Sequence, residues 1–103
     1  MQNYDVIFSD LAITDLSNIV AYITEQESET RALYVERELL KAAKSLEIFP
    51  NGYAKDEYAS TTNRTVRFIV RWSYKMVYTV DKNTVQIIGI FHTAQDPRKL
   101  RFF

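Results

Sequence analysis

The chain opens on a two-residue alternation in which Tyr4, Val6 and Phe8 interleave with Asn3, Asp5 and Ile7, the pattern of a short strand buried mainly on one face. From about Asp10 the period lengthens. Leu16, Ile19, Val20 and Ile23 fall at i, i+3, i+4 and i+7 and define one face of a helix. Its early turns hold Asp10 and Asp15, carboxylates that suit the positive helix end. After a polar break over 26–30, Ala32, Val35, Leu39, Ala42 and Leu46 repeat the helical period until Phe49-Pro50-Asn51-Gly52 stops it. Two consecutive amphipathic helices with a short polar joint read as an antiparallel hairpin.

Residues 50–65 are polar and turn-rich, and three β-rich runs follow: Val66–Val70, Tyr74–Val80 and Val85–Phe91. Asp81-Lys82-Asn83-Thr84 reads as a tight hairpin connection, with Asn83 able to tolerate a left-handed conformation, and Trp72-Ser73 forms the other turn. With two-residue loops, Ile69, Met76 and Ile87 or Gly89 share with Tyr74, Tyr78, Val80, Val85 and Phe91 the face expected to lie on the helices. The opposite face then carries Phe68, Val70, Lys75, Val77, Thr79, Gln86, Ile88, Ile90 and His92. The expected fold is α+β in the order β-α-α-β-β-β: a helical hairpin packed on one face of a small, mostly antiparallel sheet. It occupies a single domain over residues 1–103.

Charge changes this picture, because a net charge of zero hides two unlike halves. Residues 1–63 sum to −6 and residues 64–103 to +6. A basic sheet and tail beside an acidic helical half suggest a surface for an anionic partner. With no cysteine and one histidine, neither a disulfide framework nor a metal site is expected, and no cofactor is called for. Gly52 and Gly89 are too far apart for a phosphate-binding loop. No apolar run is long enough for a membrane span, and residues 1–9 lack the core of a secretion signal, so a cytoplasmic protein is expected.

Several strings, in order, resemble the RelE/ParE superfamily of bacterial type II toxins, and the resemblance covers nearly the whole chain. They are residues 15–23 (Asp-Leu-Ser-Asn-Ile-Val-Ala-Tyr-Ile), a second helix ending in Ser45-Leu46 before Pro50, Arg67-Phe68-Ile69-Val70, Tyr74-Lys75-Met76-Val77-Tyr78, residues 85–92, and Asp96-Pro97. The resemblance implies a toxin that a cognate antitoxin neutralises by wrapping around helices and sheet, in a complex expected to be a higher oligomer. It also implies one of two targets. RelE-like members cut messenger RNA in the ribosome; ParE-like members share the fold but poison DNA gyrase.

Cleavage needs a group to take the 2′-hydroxyl proton, one to protonate the leaving oxygen, and cations for the phosphorane. Arg67, Arg71, Lys75 and His92 are the candidates, with Tyr74 or Tyr78 as further polar tips. The resemblance places Lys75 where ribonuclease members carry a phosphate contact. It matches His92 to a histidine of ParE-like members, in which a basic residue stands where this chain has Gln95. Only Lys55 stands in the loop where ribonucleases carry several lysines. The chain therefore reads as ParE-like, with a non-toxic antitoxin-binding protein as the further alternative.

If helices cover one sheet face, Phe68, Val70, Val77, Ile88 and Ile90 form an exposed apolar strip, expected to bind the antitoxin with the helical hairpin. Arg98, Lys99 and Arg101 are expected to contact the target. The plainer alternatives are a structural His92, Arg67 and Arg71 paired with Glu36 or Glu38, a solvated Glu25, Glu27 and Glu29, and Tyr22, Tyr34 and Trp72 as core or rim aromatics.

Overall fold

A computed structural model describes residues 3–57 and 59–94. The elements are β1 (Asp5–Phe8), α1 (Asp10–Gln26), α2 (Glu29–Ser45), a short 3₁₀ turn (Pro50–Gly52), β2 (Arg67–Arg71), β3 (Tyr74–Asp81) and β4 (Thr84–His92). The α+β order expected from the pattern is the one observed. Both helices start on a serine: Ser9 Oγ accepts from the Ala12 N–H at 3.1 Å and Ser28 Oγ from the Arg31 N–H at 3.0 Å. Each satisfies a backbone donor that the first turn leaves without a partner. The break between the helices is only Glu27-Ser28, short enough to force an antiparallel hairpin.

The four strands form one sheet in the order β1-β4-β3-β2. Parallel pairing of β1 with β4 sets Asp5 against Thr84 and Phe8 against Ile87, and the other pairs are antiparallel. Ala12, Ile23, Val35, Leu39 and Leu46 from the helices meet Ile69, Met76, Tyr78, Val85, Ile87 and Ile90 from the sheet in the main core. Tyr78 is fully buried, and its hydroxyl donates to the Pro50 carbonyl at 2.5 Å. Burial raises its pKa, so it stays protonated; it is removed from chemistry as a polar tip.

Two expectations need correction. Tyr78 pairs with Ile87 but Val77 pairs with Gly89, which leaves Ile88 as the extra residue of a β-bulge. A bulge reverses the alternation beyond it. Ile90 therefore joins the helix-side core, Phe91 turns to the second face, and His92 leaves the face of Lys75 and stands beside Tyr74.

The second face is also not open. Val77 and Ile88 are buried there with Ala59 and Val66, because the segment after Pro50 folds back over the sheet. Phe68 N–H donates to the Ala54 carbonyl and Asp56 N–H to that of Val66. The exposed strip foreseen for the antitoxin is thus reduced: Val77, Ile88 and Ile90 are buried, Phe68 is half-buried, and Val70 alone is exposed.

In the two-residue turns, positive φ falls on Trp72 and Lys82, both at 55°, rather than on Asn83. The strand twist demands that conformation of the first turn residue whatever side chain stands there.

Candidate functional site

Beyond Phe8 the chain leaves the sheet to enter α1, and Ser9 N–H to the Ile87 carbonyl, at 2.9 Å, is the last bond joining β1 to β4. Among the described residues the rest of the outer edge of β4 has no strand partner. Asp15 takes over one position, its Oδ2 accepting the Ile90 N–H at 2.9 Å, which satisfies an edge amide that would otherwise be buried without a partner. Between α1 and this uncovered edge lies a cleft of about 690 Å³.

One wall comes from α1, through Asp15, Asn18, Ile19 and Tyr22; the other comes from Tyr74 and from β4 with its exit, Ile90 to His92 and Ala94. Burial holds the Asp15 carboxyl above its ordinary value, against the Ile90 N–H, which pulls it down. Tyr74 is also raised, by burial first and then by Glu27 and Tyr22, against Arg31. The Tyr74 phenol therefore keeps its proton at neutral pH. His92 stands edge-on to Tyr74, with ring centroids 5.6 Å apart, and its Nδ1 accepts the Ala94 N–H at 3.1 Å. A neutral His92 consequently carries its proton on Nε2.

Next to the cleft the hairpin tip of β2 and β3 presents Trp72, 54 % exposed. Its ring packs on Tyr34 at 5.9 Å, and the Arg31 guanidinium lies 5.6 Å from the Tyr34 ring and 5.5 Å from that of Trp72. Arg31 also bridges to Glu27 at 3.9 Å. Trp72 and Tyr34 are rim aromatics that form an exposed cluster with a cation.

The four candidate nuclease groups are not gathered. Register puts Arg71, Tyr74 and His92 in one row across the sheet, with Arg71 exposed and its guanidinium donating to the Val70 carbonyl at 3.0 Å. Arg67 lies at the other end of β2 and donates to the Tyr53 carbonyl at 2.7 Å. Neither meets Glu36 or Glu38 in an ion pair; Glu38 bridges to Lys41 at 3.5 Å. Lys75 is on the opposite face, paired with Asp56 at 2.7 Å and lying 4.2 Å from the centroid of Phe68.

Arg98, Lys99 and Arg101 lie outside the described residues. Among the described residues no group of three His, Cys, Asp or Glu side chains could hold a metal ion, and no helix is long and apolar enough to cross a membrane.

Sequence reasoning named His92 and Tyr74 and missed Asp15, Asn18 and Tyr22 as site residues. The available signal was their spacing: with Leu11 they fall at i, i+4, i+7 and i+11, a polar-aromatic stripe on the flank of α1 beside its apolar face.

Residues 6–97 match the family model of the ParE toxin of type II toxin-antitoxin systems, parDE. Among solved structures, a chain of the chromosomal ParDE system from P. aeruginosa superposes with a TM-score of 0.73 at 20% identity, covering 86% of this chain and 95% of that one. A chain of the toxin-antitoxin complex RelBE2 from Mycobacterium tuberculosis gives 0.67 at 20% identity, covering 92% and 97%. A chain of the archaeal RelE-RelB complex from Pyrococcus horikoshii OT3 gives 0.62 at 14%, covering 92% and 100%. At these identities the likeness is one of fold. Curated protein sequences give no match.

Proposed function

Because the chain belongs to the ParE toxin family of type II toxin-antitoxin systems, we propose that it is the toxin of such a pair, held inactive by a cognate antitoxin and acting on DNA gyrase by binding. The solved structures of similar fold come from ParDE and RelBE toxin-antitoxin systems, which supports a protein antitoxin as its partner. The antitoxin contact is assigned to the helical hairpin, whose outer surface leaves Leu33 and Leu40 of α2 exposed, a helix face suited to a partner's apolar side chains. Of the strip on the sheet, Val70 is the member that remains available.

The observation that carries the choice of target is the dispersal of the nuclease groups. Lys75 is spent on Asp56 and Arg67 on a backbone carbonyl. The one row that keeps Arg71, Tyr74 and His92 together runs into a cleft containing the Asp15 carboxylate, and a carboxylate repels the phosphate a nuclease must hold. That row is what favours the alternative, a ribosome-dependent endoribonuclease.

Expression without an antitoxin, followed by separate readouts of plasmid supercoiling and messenger cleavage, tests the reading. Lost supercoiling with intact messenger is the expected result. Messenger cleavage that disappears in His92→Ala, at unchanged melting temperature, would establish the enzyme instead.

A further inference from the structure

We propose that the cleft between α1 and the uncovered edge of β4 is a guanidinium pocket that receives an arginine side chain from a partner polypeptide. This concerns the chemistry of the ligand and stands whichever protein supplies it.

The argument starts from Asp15. Among the described residues its carboxylate has no cation within ion-pair distance; its named partner is the Ile90 N–H. One backbone donor leaves most of the accepting capacity of a carboxylate unused. Burial raises its pKa above the ordinary value, the mark of an anion short of counter-charge. Arg31, whose charge is felt at the Tyr74 hydroxyl, is already engaged by Glu27 and by the rings of Tyr34 and Trp72.

The remaining lining explains why an arginine suits this carboxylate. Tyr22 is 64 % exposed, and with Tyr74 and His92 it offers aromatic surface to the cleft. A guanidinium is planar, stacks on such rings and forks onto a carboxylate, whereas an ammonium is a compact, strongly hydrated charge. Charge complementarity excludes phosphate for the same reason that it favours arginine.

The edge beside Asp15, which β1 leaves after Phe8, is what suits a segment of another chain. After His92 the ladder with the β2–β3 turn continues, Thr93 N–H donating to the Ser73 carbonyl at 2.8 Å, and Ala94 lines the cleft. Asp15 stands on the other side of β4, at the edge β1 has vacated. An extended segment passing that edge can lower one side chain between Asp15 and Tyr22.

The full-length protein, labelled with ¹⁵N, tests this. N-acetyl-argininamide is titrated in, with N-acetyl-citrullinamide as the neutral isostere and inorganic phosphate as the anion, and the amides of Ile90 and Ala94 report on the two walls. The expected result is saturable shifts of both amides with the arginine compound, and binding of the citrulline compound weaker by about tenfold, as fits one charge-assisted contact. Asp15→Asn, which keeps an acceptor for Ile90 N–H, should remove that preference, and Tyr22→Leu should weaken argininamide about threefold.

Equal binding of the citrulline compound, or saturation by phosphate, would overturn the proposal. So would argininamide binding that appears only after Arg98 and Arg101 are replaced by glutamine, since the chain's own tail would then be the occupant.

Discussion

Lys75 of β3 and Asp56 of the preceding connection meet at 2.7 Å on the second face of the sheet, with Asp56 only 2 % exposed. Phe68 and Phe91 lie 4.2 and 5.7 Å from the ammonium. The pair is a latch. Asp56 Oδ1 also accepts the Ala59 N–H at 3.1 Å and the Asp56 carbonyl accepts the Ser60 N–H at 3.0 Å, so the carboxylate organises the segment that covers Val77 and Ile88. Removing one partner of such a pair leaves a buried charge alone, which costs about 3–5 kcal/mol. Asp56→Leu or Lys75→Met should therefore lower Tm by roughly 12 °C or more. Asp56→Leu with Lys75→Met should recover more than half of that loss in thermal melts; a strictly additive double variant would show that the two side chains act separately.

Tyr78→Phe tests the tie between β3 and the 3₁₀ turn. The hydroxyl bonds the carbonyl of buried Pro50 at 2.5 Å, and its loss leaves that carbonyl without a partner. A cost of about 1–3 kcal/mol in urea denaturation is expected. No change in the midpoint would mean that water replaces the phenol.

Asp15 carries a pH dependence whose sign follows from its raised pKa. Above the unfolded value of 3.8 and below the folded one, the native state binds more protons than the unfolded state, so the contribution of this group to stability falls as pH rises through that window. Asp15→Asn is insensitive to it. The Tm of the asparagine variant relative to the parent should be higher at neutral pH than at about pH 4. The opposite trend would mean that the fold stabilises the Asp15 anion.

The cations of the tail are proposed to contact the target, and their test is salt. Replacing Arg98, Lys99 and Arg101 with glutamate should weaken target binding and flatten its dependence on salt, if gyrase is bound with its DNA, since each neutralised phosphate releases a counterion. Thermal stability should stay within about 0.5 kcal/mol, as for ordinary surface substitutions. Unaltered affinity at low salt would remove the tail from the interface.

The helices were legible because burial enforces their period over several turns, as in Ala32, Val35, Leu39, Ala42 and Leu46, all buried. Up to Ile87 the strand faces were equally legible. A single surplus residue then exchanged the sides of Ile90, Phe91 and His92, and nothing in the string Ile87-Ile88-Gly89-Ile90 marks which isoleucine is surplus, since both faces of this sheet are apolar. Asp56 escaped notice for a related reason: its role depends on Lys75, nineteen positions away, and polar loop residues carry no periodicity. Lys82 took the left-handed position beside an asparagine better suited to it, because turn geometry fixes the position before side-chain preference is consulted. The cleft shows the same limit. Its residues stand in plain sequence, but its existence depends on where β1 stops.

The parallel pairing of β1 with β4 also sets a clock. Asp5 pairs with Thr84, so at a synthesis rate of about 5–20 residues per second its partner is made roughly 4–16 s later. Until then the apolar face of α1, which packs on Val85, Ile87 and Ile90, has nothing beneath it. The nascent helical hairpin is therefore exposed and incomplete for seconds, while everything it needs is still being made. The strand that completes the sheet is the last of the described elements to be made, and the fate of the growing chain, proteolysis included, can be decided before that strand appears.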